Sequence, residues 1–261
     1  MKVTSLGFRT DLALLQHTGS EVEDHDDHLV IRTPENPSYF WGNFVLFAHA
    51  PTVDRAMDAF AAAFPDADHV SIGVDDARMD AETRASFGEV GVTVDDCVVL
   101  TSTSMELAAI DADVRPLATS DDWEQRALLS HAFNPEVDAD TFLDFARRKA
   151  AMEQALVDAG LGQRFGAFVD GQLVSTAGCF EASPGLARYQ AVETHPDHRR
   201  QGFAGAVVRA AGRAALDAGA RRVVIVADED GDGVRLYRRL GLADAERQLM
   251  LERRSGPWAA S

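Results

Sequence analysis

The stretch THPDHRRQGFAGAVV, residues 194–208, concentrates residue types that could do chemistry. A strand-like segment ends at Pro196, two arginines follow, and Gly202, Ala204 and Gly205 open an apolar helical pattern. A strand that feeds a helix through such a loop exposes several backbone N–H groups at the helix start, where the helix dipole adds positive character. Together these make a place for an anion. Gly202 and Gly205 remove side chains that would block close approach, and Arg199 and Arg200 bring charge suited to phosphate. Neither GxxxxGK nor GxGxxG is present, so this is not a Walker loop or a dinucleotide fingerprint.

Other reactive residue types read more plainly. His195 and His198 flank the loop and are expected to face solvent. The run EVEDHDDH, residues 21–28, has no metal-ligand spacing and reads as a solvated acidic loop. Cys97 and Cys179 both sit in apolar, strand-like segments and are expected as buried thiols, with no metal site. Trp41, Gly42 and Asn43 fit a buried aromatic strand, with a place in a pocket wall left open.

The loop needs a strand before it and a helix after it, and the surrounding pattern supplies both. In the second half, VRPLA (114–118) is a short strand, and SDDWEQRALLSHAF (120–133) opens with Ser120 and acids as a helix does. A second helix spans about 139–159 and stops at Gly160. Residues 164–182 form a hairpin turning at Asp170–Gly171. LARYQAVET (186–194) is the strand before the loop. A helix then runs to about Gly219, the apolar run RRVVIVAD (221–228) is a buried strand, 234–242 is a short helix and 246–253 a last strand. The first half predicts strands at 28–32, 39–48, 69–76 and 95–102, and helices at 53–64 and 82–92. Phe87–Val92 echoes Tyr237–Leu242, each between an apolar strand and another strand, as a duplication would leave it.

Composition bounds the rest. The 261 residues suit one large or two ordinary domains, and 46% hydrophobic content suits a packed core. A net charge of −17 argues against nucleic-acid binding. Lys2 and Lys149 are the only lysines, and arginine and aspartate carry most of the charge; adaptation to a salty cytosol and biased codon usage both account for this. No apolar run approaches 18 residues, so no membrane span is expected. The N-terminal MKVTSLGFRTDLALLQ lacks a signal-peptide core, and a cytoplasmic protein is expected.

Val192–Ala204 resembles motif A of the GNAT superfamily of N-acetyltransferases, whose Arg/Gln-x-x-Gly-x-Gly/Ala core is met by Arg199, Gly202 and Ala204. Leu236–Leu242 resembles the LYxxxGF segment of motif B, with Leu242 in place of Phe. Asp230 and Gly233 stand where the family often has Asn and Ala. The resemblance implies an α+β fold, a mixed central sheet flanked by helices. With the boundary placed at the polar stretch around Asp111 to Asp113, it covers the second of two tandem domains, 1–110 and 111–261, of which the first reads as an incomplete copy. It further implies acetyl-CoA as acyl donor, held by Val192, Thr194, Arg199, Arg200, Gln201, Gly202, Phe203, Ala204 and Gly205. AHAPTVDRAMD, at the matching place in the first half, lacks this pattern and puts Asp54 where phosphate would sit, so no CoA is expected there.

Acyl transfer to an amine needs a neutral nucleophile, donors for the thioester oxygen and a proton for the leaving thiolate. Tyr237, neutral at pH 7, can donate that proton to sulfur. Glu193 is a candidate base, which strand alternation turns away from Val192 and Thr194. Tyr189 and Gln190 are weaker candidates for the acceptor wall. The implied partner is a small-molecule or peptide amine, with a homodimer left open. The alternative is a regulatory protein that binds acyl-CoA without turnover.

Overall fold

The computed structural model describes residues 1–106, 112–134 and 137–254. In chain order it contains α1 (Leu6–His17), β1 (Glu21–Asp24), β2 (His28–Arg32), β3 (Phe44–Phe47), α2 (Val53–Ala63), β4 (Val70–Val74), α3 (Ala81–Glu89) and β5 (Thr93–Ser102). It continues with β6 (Asp113–Pro116), α4 (Ser120–Phe133), α5 (Ala139–Asp158), β7 (Gly162–Val169), β8 (Gln172–Ser183) and β9 (Leu186–Thr194). Last come α6 (Phe203–Asp217), β10 (Arg222–Asp228), α7 (Asp232–Arg239) and β11 (Ala243–Arg253). This is the expected α+β class, with mixed sheets flanked by helices. The boundary expected between residues 110 and 111 lies outside the described residues. Two compact units interleave in sequence: Met1–Val99, Val226–Val234 and Ala245–Ser261 in one, Leu100–Ile225 and Arg235–Asp244 in the other.

In the first unit the strands run β1-β2-β3-β4-β11. β3 and β4 are parallel, and the other neighbours antiparallel. β3 and β4 are buried along their whole length, as strands covered on both faces must be. Phe8, Leu12 and Leu15 of α1 cover one face with Leu29, Ile31, Phe44 and Leu46. Ala56 and Phe60 of α2 cover the other with Val45, Phe47, Ile72, Leu249 and Leu251. Glu246 fills the start of α1 by accepting from the Leu6 and Gly7 N–H groups.

Two expectations for this unit are corrected. The acidic loop is in part an exposed edge strand, β1, paired with β2. The strand expected over 39–48 is shorter, because Phe40–Gly42 is a 3-10 turn and only 44–47 is extended. Asn43 explains the turn: its Oδ1 accepts from Thr33 N at 2.9 Å, and its Nδ2 donates to the carbonyls of Asn36 and Tyr39 at 3.0 and 2.9 Å. A Cβ on Gly42 would lie 2.3 Å from the Tyr39 ring, so only glycine closes it.

In the second unit the order is β10-β9-β8-β7-β6, with β10 and β9 parallel and the rest antiparallel. Asp170 and Gly171 make the expected turn, with φ of 49° and 80°. Trp123 and Leu129 of α4 and Ala150 of α5 cover Phe168 and Leu173. α6 lies against the other face, where the Tyr189 hydroxyl donates to the Val208 carbonyl at 2.8 Å. Both cysteines are buried thiols outside any disulfide.

The sequence echo has a structural counterpart. Gly91 and Gly241 adopt φ of 73° and 90° just past α3 and α7. Val92 N donates to Phe87 O at 3.0 Å, and Leu242 N to Tyr237 O at 3.1 Å. Both helices therefore end on a left-handed glycine with the same backbone closure.

Candidate active site

After β9 the chain makes a 3-10 turn at Pro196–His198, where the His195 side chain accepts from Asp197 N at 3.3 Å. His195 and His198 are half-buried beside this turn rather than fully solvent-facing, because the turn folds them against each other and against Phe203. Arg200 and Gly202 then take φ of 64° and 93°, and α6 starts at Phe203. Gly202 is the N-cap, so no side chain caps the helix, and no acid lies in its first turn. Helices α1 to α5 differ, each capped by a side chain: Ser5, Thr52, Asp80, Thr119 and Asp138. The start of α6 thus offers N–H groups and a positive dipole end with no internal acceptor from its cap. Arg199, Arg200 and Gln201 are exposed around it, and Gln201 Nε2 donates to Asp197 O at 3.3 Å.

Other residues of the loop have packing duties. The Phe203 side chain is buried, so that residue can meet a ligand only through its backbone. A Cβ on Gly205 would touch Leu236 and Leu240 at 3.8 and 3.7 Å, an ordinary contact that sets α7 against the first turn of α6. This brings Tyr237 to the α6 side. Its ring is buried, its hydroxyl has no hydrogen-bond partner among the described residues, and burial pushes its pKa up to about 12.

Strand β9 is interrupted where it matters. It pairs with β10 at Leu186, Ala187 and Arg188 and then runs on to Thr194. On its other side the register with β8 shifts between Gly178↔Gln190 and Thr176↔Glu193. Ala191 takes a left-handed φ of 44° at that point, a bulge. In a regular strand Glu193 would share the face of Tyr189, four residues earlier. The bulge turns it to the α4 face instead, while Thr194, whose Oγ1 lies 2.8 Å from Ser175 Oγ, faces the other way. The sequence carried no signal for the bulge.

On the α4 face Glu193 joins a buried cluster. Ser130 Oγ donates to Glu193 Oε2 at 2.6 Å, and Arg126 Nη1 lies 3.6 Å from the same oxygen. Arg126 Nε donates to Glu153 Oε2 at 3.0 Å. Arg164 Nε is 2.9 Å from Glu153 Oε2, at ion-pair distance but off the hydrogen-bond axis. Arg126, Glu153 and Arg164 are at most 4% exposed, against 16% for Glu193. Burial would raise the Glu153 pKa, but the two guanidiniums hold it down at about 2. Arg164 also donates to Gln190 O at 2.9 Å and Ala191 O at 3.1 Å, which are the carbonyls of the bulge. Sequence reading missed Arg126, Ser130, Glu153 and Arg164. The available signal was arginine inside otherwise apolar helix and strand stripes.

In the first unit α2 begins with the Thr52 side chain accepting from Arg55 N at 3.4 Å and with Asp54 in its first turn. Trp41 donates to Glu252 at 3.2 Å within the same unit. Among the described residues no cluster of His, Cys, Asp or Glu is placed to hold a metal, and no helix is long and apolar enough to cross a membrane.

Residues 123–242 match the model of the acetyltransferase (GNAT) family. A functionally unknown conserved protein from Staphylococcus epidermidis ATCC 12228 is similar in structure, with a TM-score of 0.71 at 14% identity over 92% of this chain and 96% of that one. A GCN5-related N-acetyltransferase from Kribbella flavida gives 0.64 at 17% identity over 97% and 98%. A tandem GNAT protein from the clavulanic acid biosynthesis pathway gives 0.53 at 13% over 98% and 90%. These likenesses are of fold. No curated protein matches the sequence.

Proposed function

We propose, from the premise that residues 123–242 are a GNAT-family acetyltransferase domain, that the protein is an acetyl-CoA-dependent N-acetyltransferase acting on a small-molecule or peptide amine. The observation that carries this reading is the open start of α6, where Gly202 at φ 93° leaves the helix without a side-chain cap. Its N–H groups, with Arg199 and Arg200, suit the pyrophosphate of the donor. Acetyl-CoA supplies the acetyl group as a thioester. Backbone groups at Val192 and Thr194 hold the arm of the donor, and an N–H of this segment polarises the thioester oxygen. Glu193, partly open to solvent, takes the proton of the attacking amine, directly or through a water. Tyr237 donates its phenolic hydrogen to the departing sulfur; burial keeps that proton in place at neutral pH.

The capped, acid-bearing start of α2 supports a single donor site, with the first unit in a structural role. The test is thiol release from acetyl-CoA across a panel of amines, with Gly202→Val as control. Thiol release that depends on an amine and is lost in the control supports the enzyme. Tight acetyl-CoA binding with no release for any amine moves the assignment to an acyl-CoA-binding regulator.

A further inference from the structure

We infer that Ser130 and Arg126 are positioning residues for Glu193, and that Arg164 fixes the bulge presenting it, so that the buried cluster sets which carboxylate oxygen the proposed base offers. This rests on the reading of Glu193 given above. The argument starts from the bulge. Left-handed backbone at a non-glycine residue persists only where its surroundings hold it. Here both Nη groups of Arg164 reach the bulge carbonyls, at 2.9 and 3.1 Å, and its Nη1 also donates to Thr176 Oγ1 at 3.2 Å. Thr176 is the β8 partner of Glu193 in register. The group that turns the strand is therefore beside the group that the turn presents.

The charges then close on themselves. Facing the Glu193 carboxylate are Arg126 and Ser130 from α4, Arg164 from β7 and Thr176 from β8, with Glu153 from α5 behind the arginines. Two guanidiniums and two carboxylates meet here, and the Lys149 charge also acts on Glu153. Glu153 is bound by both arginines, whereas Glu193 receives one hydroxyl and one more distant guanidinium on the same oxygen, Oε2. Its Oε1 has no hydrogen-bond partner among the described residues and is left for the acceptor. Ser130 thereby fixes which oxygen Glu193 presents. A hydroxyl that donates to a carboxylate favours its charged form.

The experiment follows the Glu193 carboxyl by carbon-13 NMR in full-length protein labelled at glutamate side chains, its signal identified by loss in Glu193→Gln. Ser130→Ala should raise the titration midpoint by about one pKa unit, the usual weight of one hydrogen bond to a charged group. Ser130→Thr, which keeps the hydroxyl, should restore it. The acid limb of kcat/KM against an accepted amine should move by the same amount, with acetyl-CoA affinity unchanged. A residue that only packs would lower the melting temperature and leave the midpoint in place. If Ser130→Ala does not fold, Arg126→Lys, which keeps a charge beside Glu153 and shortens the reach to Glu193, should move the midpoint the same way. An unmoved midpoint beside a slow Glu193→Gln enzyme overturns this inference alone. A Glu193→Gln enzyme as fast as wild type removes the base assignment, and the inference with it.

Discussion

At Tyr237 the structure separates two roles that one side chain could have. A tyrosine that only packs would anchor its hydroxyl, as Tyr189 does on Val208. The Tyr237 hydroxyl is anchored to nothing described, so Tyr237→Phe should cost little stability. Turnover should fall by roughly 10²–10⁴-fold, the usual range for a general acid. Calorimetry should show acetyl-CoA affinity unchanged, the mark of an interaction made in the transition state. The raised pKa has its own consequence. Tyr237 stays protonated until about pH 12, so rate should not drop through its ionisation as an assay is taken to alkaline pH. A basic limb that disappears in Tyr237→Phe would contradict this. The loop and the tyrosine were legible because glycine, arginine and tyrosine carry their chemistry wherever they stand. The environment of Glu193 was not, because Ala191 looks like any strand residue until its φ is known.

Elements are where tertiary structure overrides the local pattern. Gly212 sits inside α6, where alanine would ordinarily gain about 1 kcal/mol. A Cβ there would lie 1.9 Å from the Tyr189 hydroxyl. Gly212→Ala should therefore destabilise by about 1–3 kcal/mol, as overpacking does. Adding Tyr189→Phe removes the nearest atom and should recover most of the loss in denaturant melts. Glu153 joins α5 to α4 and β7, and Glu153→Gln leaves two buried arginines short of charge. The expected loss is about 3–5 kcal/mol. Because folding holds the Glu153 pKa at about 2, below its ordinary 4.5, its contribution is complete above about pH 4.5 and is lost as pH falls toward 2. Acid melts of wild type should show that slope, and Glu153→Gln should lack it. The helices and strands of the second half followed their periodicity closely. Helix α1, with Phe8, Leu12 and Leu15 one turn apart behind Ser5, was legible in principle and went unread. The 3-10 turn at 40–42 was not, since one asparagine makes it by reaching back across the loop.

At the scale of the whole molecule, calorimetry should give one acetyl-CoA per chain, and two equivalent sites would refute a first half that has lost its donor loop. The net charge of −17 resists compaction through self-repulsion, which salt screens. Melting temperature should hold or rise between low salt and molar KCl. A steady fall would favour codon bias as the source of the acidic composition. The pairing of β4 with β11 bears on how the chain is made. Leu249 and Leu251 complete a core whose other strands come from the first hundred residues, and the whole of the second unit is encoded between them. During synthesis Val70, Ile72 and Val74 leave the ribosome long before their partner strand exists. Until it arrives, an apolar strand has one open edge, the kind of surface on which nascent chains stick to one another. The first unit can therefore begin to fold first but must finish last, and translation rate and chaperone supply should govern its yield more than its final stability does.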